Sequence, residues 1–412
     1  MVNILGVNII TDSKQEILKK ISGFLDGKKT RHAVTPNPEF LLAAKEDEEF
    51  FYILNKADIA IPDGIGLVFA GLFMGKKIKR VSGVDLMYDI CALAEKQDKS
   101  IFLLGGENNA AHEAGLRLKE LYPGLKIVGA ESGLAPGSWK IERGRWIKGK
   151  NENQRLIEKI NKAKPDIIFV AFGQMKQEKW AWHSAPEIPS VKLTMGVGGS
   201  FDFIAGKIRR APKIMRAAGL EWLWRLLQEP FKRLPRIYNA VVVFPLAFFR
   251  WRFINPLRYR PNIACLLYKR ENDKIKILIA ERRIPAGHWQ LPQGGTDGEK
   301  LEIVGSRELR EEAGTDNFKP IKVFKNLHRY KFGDELTRGG VKSKQILGYK
   351  GQKQGLFIAE FTGKDKDITI NYWDHRNWKW VDAENLVKEV DTYRKESAKI
   401  FLDKFETVIS NQ

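Results

Sequence analysis

The stretch GGTDGEKLEIVGSRELREEAGT, residues 294–315, sets Glu308, Glu311 and Glu312 three and four positions apart. At about 3.6 residues per turn, a helix over Leu301–Ala313 places all three carboxylates on one face. Like charges packed on one face cost stability unless a cation sits among them. Oxygen-rich clusters suit Mg2+ or Mn2+, which in turn hold phosphate oxygens. Taken alone, this spacing is more often that of a solvated acidic helix face. Upstream, Ile263–Tyr268 and Ile275–Ala280 read as a strand and a hairpin-like return, so the region predicts an independent α+β domain over residues 255–412.

Outward from this stretch the character of the chain changes. From Met1 to about Gly206, short apolar runs alternate with helical patterns. Ile59–Ile61, Ile101–Leu104, Ile127–Val128, Ile167–Phe172 and Leu193–Val197 read as strands, and Ala110–Leu121 and Asn153–Ala163 as helices. The alternation predicts an α/β domain over 1–206 with a Rossmann-like, mostly parallel sheet. Strands run into PDGIG, LLGGEN, AFGQ and GVGGS, and ligands of such sheets sit at the carboxyl ends of the strands. Glycines there let backbone amides approach a phosphate. Each turn alone is more often a packing turn, and Asp63 alone is more often a helix cap.

Between these domains lies a basic aromatic segment, 207–254. Lys207–Arg260 carries thirteen lysines and arginines against two acids, Glu221 and Glu229, more than half of the net charge of +20 on the 412-residue chain. Such a balance points to anionic partners: nucleic acid, nucleotide phosphates or an acidic membrane. A generally basic proteome or a solubility effect would give the same balance. With 43% hydrophobic and 29% charged residues, a wholly disordered chain is excluded. Cys91 and Cys265 form no CxxC pair, which argues against a disulfide framework or thiolate zinc site and fits a reducing cytosol. The N-terminal MVNILGVNIITDSKQE does not read as a signal peptide. No segment approaches the roughly 20 apolar residues needed to cross a bilayer. The longest apolar run, Ala240–Phe249, contains Pro245 and precedes Arg250 and Arg252, so it is expected to lie in an interface rather than span it.

The 294–315 stretch resembles the Nudix box. Arg307-Glu308-Leu309-Arg310-Glu311-Glu312-Ala313-Gly314-Thr315 follows its central run, and Glu299 lies eight residues before Arg307. The loop between Gly294 and Glu299 is one residue short, and Thr315 stands where an aliphatic residue is usual. Tyr259-Arg260-Pro261-Asn262, Trp289-Gln290-Leu291-Pro292-Gln293-Gly294-Gly295 and Gly351-Gln352-Lys353-Gln354 resemble the RNA pyrophosphohydrolase and dinucleoside-polyphosphate hydrolase branch. The resemblance implies a Nudix fold and a Mg2+ or Mn2+ site built from Glu308, Glu311, Glu312 and Asp374. Asp374 stands where the branch usually has glutamate. The implied reaction is attack of water on a phosphorus of a nucleoside polyphosphate or an RNA 5′ end, with Glu311, Glu312 and Asp374 as catalytic groups and the metal lowering the pKa of bound water.

TPNPEF (Thr35–Phe40), ADIAIPDGIG (Ala57–Gly66), RVSGVD (Arg80–Asp85), FGQMKQEKW (Phe172–Trp180), GVGGSFDFIAGKIRRAP (Gly196–Pro212) and GLEWLWRLLQEP (Gly219–Pro230) together resemble the WecG/TagA/CpsF glycosyltransferase family over about residues 1–245. Met175 replaces a usual proline. The resemblance implies inverting transfer of an N-acetylmannosamine-type sugar from a UDP-sugar to a polyprenyl-diphosphate-linked acceptor in cell-surface polysaccharide synthesis, without an obligate cofactor. Inversion needs a base for the acceptor hydroxyl and stabilisation of the leaving UDP. Asp63 matches the base. Thr35, Asn37 and Gln177 match polar pocket residues, and Arg80 could meet a diphosphate or form a surface ion pair. Gly198, Gly199, Arg210, Arg225, Arg233 and Arg236 are the further expected substrate contacts.

A lipid-linked acceptor gives the basic segment a role as a peripheral contact with the anionic inner face of the cell membrane, from the cytoplasm. An RNA-binding stripe and a buried helix with basic edges are the competing readings. For the whole chain the alternatives are a Nudix unit that senses nucleotides and an RNA-associated protein. Self-association is left open.

Overall fold

The computed structural model describes residues 1–135, 137–142, 145–296, 298–333, 337–338, 341–342 and 347–411. The chain forms two compact units, Met1–Phe248 and Phe249–Gln412.

The first unit opens on a short hairpin, β1 (Val2–Ile4) and β2 (Val7–Ile9), closed by Leu5 and Gly6, both at positive φ. Then follow α1 (Lys14–Leu25), β3 (Arg31–Val34), α2 (Pro38–Glu46), α3 (Glu48–Lys56), β4 (Ile59–Ala60), α4 (Ile65–Phe73) and α5 (Gly83–Lys96). The chain continues through β5 (Ser100–Gly105), α6 (Ala110–Leu121), β6 (Lys126–Glu131), a β7–β8 hairpin (Lys140–Glu142, Arg145–Lys148), α7 (Lys150–Ala163), β9 (Ile167–Ala171), α8 (Lys176–Ser184), β10 (Leu193–Gly196) and α9 (Ser200–Ile204). Six strands form one sheet in the order β4-β3-β10-β9-β5-β6, and every pairing is parallel. The central strands β5, β9 and β10 are buried along their whole length because both faces are covered, whereas the edge strand β6 has no buried residue. In β5, Ile101 and Leu103 enter the core shared with α1, α5, α6 and α9, whereas Phe102 and Leu104 enter the core shared with α7 and α8. The sheet is thus doubly wound, and the loops after β3, β4, β9 and β10 gather at its carboxyl edge.

The basic aromatic segment folds as α10 (Lys213–Ala217), α11 (Glu221–Gln228) and α12 (Pro230–Tyr238). Helix then continues through a π-turn (Asn239–Val243), α13 (Phe244–Phe249), a second π-turn (Arg250–Ile254) and the 3-10 turn Asn255–Leu257. This corrects one expectation. Arg233–Leu257 is a helix of 25 residues with mean hydropathy 1.3 over an 18-residue window, only 11% of it buried, and by length and composition it is long enough to cross a membrane. Pro245 does not end the helix, because the wider π-turn falls just before it, where an α-turn would clash with the ring.

The second unit contains β11 (Tyr259–Glu271), β12 (Lys274–Arg282), β13 (Trp289–Gln290), β14 (Gln293–Gly295), α14 (Leu301–Glu308), β15 (Phe318–Lys331), two short strands β16 (Thr337–Arg338) and β17 (Val341–Lys342), β18 (Gly351–Phe361), β19 (His375–Asp382) and α15 (Lys395–Ile409). Its mixed sheet has the order β13-β12-β11-β18-β15, with β14 beside β11 and β19 beside β12; β11 and β18 run parallel. Along β11, Ile263, Cys265 and Leu267 pack with α14, and Ala264, Leu266 and Tyr268 pack with α15. The helix expected over Leu301–Ala313 is continuous, but it is a π-turn from Leu309 to Ala313.

Candidate active sites

In the first unit, β3 delivers Thr35 and Asn37 and β4 delivers Asp63 to the same edge. Asp63 N donates to Pro36 O at 2.9 Å, which ties the two loops together. Asn37 caps α2, accepting from Phe40 N at 3.0 Å. Gly83 N donates to Asp63 Oδ2 at 3.4 Å, and Thr35 borders the same glycine. Burial raises the Asp63 carboxyl above the usual aspartate range; Arg80 and the Gly83 amide oppose the rise, Glu221 adds to it and Arg225 opposes it. A carboxylate with a raised pKa is a better proton acceptor.

Arginines surround this group. Arg80 lies 3.5 Å from Glu221, which lies 3.9 Å from Arg210; Arg210 in turn bonds Asp85 at 2.6 Å. Arg225 sits 4.7 Å over the Phe203 ring, with Nη2 against Gly199. Its Nε is enclosed with no hydrogen-bond partner among the described residues. Burial lowers its pKa to about 10, with Arg233 and Arg236 adding and Glu221 opposing, so it stays charged near neutrality. Arg233 grips Glu229 at 2.8 Å, and Arg236 lies 3.3 Å from Glu39. The partly enclosed cations suit a diphosphate.

The floor is the β10–α9 turn. Gly198 N donates to Gln177 Oε1 at 3.0 Å, and Gln177 Nε2 donates to Glu178 Oε1 at 2.7 Å. A side chain at Gly196 would meet both groups at 2.5 Å. Glu178 was not singled out from sequence, although it stands in the same K-Q-E run. Burial pushes its carboxyl up to about 7. Just before it, Met175 has φ +67° and ψ −47°, a conformation that a proline ring cannot adopt. The departure from the family pattern therefore accompanies a different local backbone. Glu39 and Glu221, which hold the arginines, were also not singled out.

In the second unit the three separately quoted fragments meet. Gln354 Nε2 donates to Gln293 Oε1 at 2.7 Å and to Asn262 Oδ1 at 3.2 Å, and Gln293 Nε2 donates to Gln290 Oε1 at 3.0 Å. Glu308 and Glu312 are buried. Gly294 is required, because a Cβ there would lie 1.9 Å from Glu308 Oε2. Arg307 Nη1 lies 3.2 Å from Glu308 and 3.3 Å from Glu311, and its Nη2 donates to Gly295 O at 3.1 Å. Glu312 Oε2 accepts from Gln293 N at 2.8 Å and lies 3.8 Å from His375 Nε2. The Asp374 backbone is fixed at both ends: its N donates to Asn371 Oδ1 at 3.1 Å, and its O accepts from Arg283 N at 2.7 Å. His375 is a buried neighbour that the sequence reading passed over.

Three carboxylates suit a hard divalent ion in donor type. Among the described residues no group of three or more His, Cys, Asp or Glu stands ready-made as a metal site. Glu308 and Glu312 are the buried pair beside Gln293 and Gly294, and Arg307 supplies the positive charge between Glu308 and Glu311. Thr315, the other departure, is buried and accepts from Asn317 N at 3.1 Å.

Comparisons with known proteins agree with this division. The family model "Glycosyl transferase WecG/TagA/CpsF family" matches residues 2–257, and "NUDIX domain" matches 258–404. NUDIX domains generally use a divalent metal ion. The N-acetylglucosaminyldiphosphoundecaprenol N-acetyl-beta-D-mannosaminyltransferase of Bacillus subtilis (strain 168) is 31% identical over 232 residues, 56% of this chain and 83% of that protein. The protein of the same description from Staphylococcus aureus (strain MRSA252) is 29% identical over 244 residues, 58% of this chain and 89% of that one. A solved structure of a C. elegans Ap4A hydrolase binary complex is 22% identical and covers 37% of this chain and 99% of its own, with a TM-score of 0.29. With the loops around Asp63 and the glycine turn both inside the matched region, the chain belongs to the WecG/TagA/CpsF glycosyltransferase family and carries a NUDIX domain after it.

Proposed function

We propose that the first unit transfers an N-acetylmannosamine-type sugar from a UDP-sugar to a polyprenyl-diphosphate-linked acceptor, with inversion, in cell-surface polysaccharide synthesis. The observation that carries this is Asp63 held beside Thr35, with a raised carboxyl, among Arg80, Arg210 and Arg225. Asp63 takes the proton of the acceptor hydroxyl as the sugar carbon is attacked. The arginines and the Gly198–Gly199 turn stabilise the departing diphosphate. Gln177 orients that turn through Gly198 N. Arg233 and Arg236 belong to the same electrostatic group through Glu229 and Glu39.

The second unit hydrolyses a nucleoside polyphosphate or an RNA 5′ pyrophosphate linkage. Glu308, Glu311 and Glu312 are the groups that would hold a divalent ion there, and such an ion supplies Lewis acidity and an activated water. Arg307 positions Glu308 and Glu311. The convergence of Asn262, Gln290, Gln293 and Gln354 supports this reading. A nucleotide-sensing role is the second reading, favoured by Arg307 standing between two of the carboxylates.

The chain works at the cytoplasmic face of the membrane as a peripheral protein. Although the whole Arg233–Leu257 helix is long enough to span, its uncharged stretch between Arg236 and Arg250 is only thirteen residues, about 20 Å at 1.5 Å per residue, short of the hydrocarbon core of roughly 30 Å, which favours lying in the interface. The test is a screen of the full chain with UDP-sugars, lipid-diphosphate acceptors and nucleoside polyphosphates. Sugar transfer to a diphosphate-linked acceptor supports the first assignment, and no transfer with any donor overturns it.

A further inference from the structure

The helix that follows Asp63 contains no polar side chain. α4 reads Ile65-Gly-Leu-Val-Phe-Ala-Gly-Leu-Phe73. Its inner face is settled: Leu67, Ala70 and Gly71 are buried. Its outer face is not: Phe69, Leu72 and Phe73 are 56%, 58% and 69% exposed. Their spacing places them on one side of the helix. A helix whose outer side faces only water carries polar residues there, so three adjacent large apolar side chains mark an interaction surface.

Two further observations indicate what covers it. The chain leaves α4 through Met74-Gly75 into Lys76, Lys77 and Lys79, all exposed, so the apolar face is edged by cations. α4 also packs against α13: the Phe73 and Phe248 rings lie 6.5 Å apart, and a side chain at Gly66 would meet Phe244 at 3.5 Å. The outward residues nearby in that helical run, Val241 and Leu246, are 51% and 60% exposed. α4 and the helix packed against it thus both expose apolar side chains, and exposed lysines follow α4 directly.

We propose that α4 is a membrane-docking element of the core: Phe69, Leu72 and Phe73 enter the headgroup layer of an anionic bilayer while Lys76, Lys77 and Lys79 meet its lipid phosphates. This rests on the reading that the acceptor is lipid-linked. α4 starts two residues after Asp63 and is only about 13 Å long, so docking along it holds the base near the layer where an acceptor diphosphate lies. The element is distinct from the basic appendage, because it belongs to the sheet's own β4–α4 connection.

The test uses the full chain and two combined variants, Phe69→Ser/Leu72→Ser/Phe73→Ser and Lys76→Gln/Lys77→Gln/Lys79→Gln. Binding to vesicles rich in phosphatidylglycerol and to phosphatidylcholine vesicles is measured by co-sedimentation. Sugar transfer is measured to a lipid-linked acceptor in vesicles and to a short-chain soluble analogue. The apolar variant is expected to lower binding to anionic vesicles about tenfold or more. The lysine variant is expected to lower it about tenfold or more at low salt and to leave phosphatidylcholine binding unchanged. Both are expected to lose transfer to the vesicle acceptor and keep transfer to the soluble one. The exposed lysines can be changed without touching the core, so that variant decides the matter if the apolar one fails to fold. Unchanged vesicle binding in both overturns the proposal. So does a wild-type dimer that the apolar variant splits without loss of vesicle binding, which would make a second copy the occupant. A wild type that transfers to neither acceptor, yet binds vesicles through α4, supports the surface and overturns the sugar-transfer reading.

Discussion

Glu178 is enclosed beneath the glycine turn, and its carboxyl is raised to about 7 by burial. A raised carboxyl contributes stability that is present in acid and is lost as pH rises through about 7. The loss is about 3 kcal/mol between the usual glutamate range and neutrality. Glu178→Gln is expected to flatten that slope between about pH 4.5 and 7 while keeping the Gln177 hydrogen bond. Urea unfolding across that range checks it; an unchanged slope would assign the pH dependence elsewhere. In the second unit, Glu311→Gln and Glu312→Gln are each expected to cut nucleoside polyphosphate hydrolysis about 100-fold at limiting Mg2+, with the fold intact by circular dichroism. Wild-type turnover in both would contradict the assignment of these two glutamates to the metal site. Residue types were legible at this scale because each motif sets glycines and charges at fixed spacing. Residues that act on those groups, such as Glu178 and His375, were not, because only the fold brings them against Gly196 and Glu312.

Turns and helix ends govern the elements. Gly314 ends the Leu301–Ala313 helix at φ +68°, and a Cβ there would lie 2.2 Å from Thr369 O. Gly314→Ala is expected to cost about 2–4 kcal/mol, from backbone strain and the clash together. Thermal unfolding of the second unit's transition checks it. The helix after Pro230 carries two kinds of arginine. Arg233 is buried on Glu229, whereas Arg250 and Arg252 are exposed. Arg250→Gln/Arg252→Gln is expected to weaken binding to anionic vesicles by about 1 kcal/mol per charge, less at high salt. Arg233→Gln/Arg236→Gln is expected instead to slow transfer to a soluble acceptor. Vesicle co-sedimentation beside the transfer assay separates the two pairs. Strands such as β5 and β9 were legible as continuous apolar runs between turn signals. The β1–β2 hairpin was not, because each strand is three residues long. The long helix was not either, because Pro245 and Arg250 break its pattern in sequence while π-turns absorb them in the fold.

At the scale of the whole molecule, a glycosyltransferase-family unit and a NUDIX domain share one chain, each with its own sheet and cores. The order of domains was legible because α/β alternation gives way to a basic segment and then to a mixed β pattern. A mostly parallel sheet was legible from the alternation of apolar runs with helical patterns, but β3 was not, because Arg31 and His32 fill half of its four residues. The central claim is that Asp63 is the base for sugar transfer. The most direct measurement is single-turnover transfer from a UDP-sugar to a diphosphate-linked acceptor by wild type and Asp63→Asn, beside donor binding by calorimetry. The expected result is a fall in rate of about 10²–10⁴-fold with donor affinity nearly unchanged, because a base acts on the acceptor's proton in the transition state. Full transfer by Asp63→Asn would contradict the account and leave Asp63 as a structural link between the β3 and β4 loops.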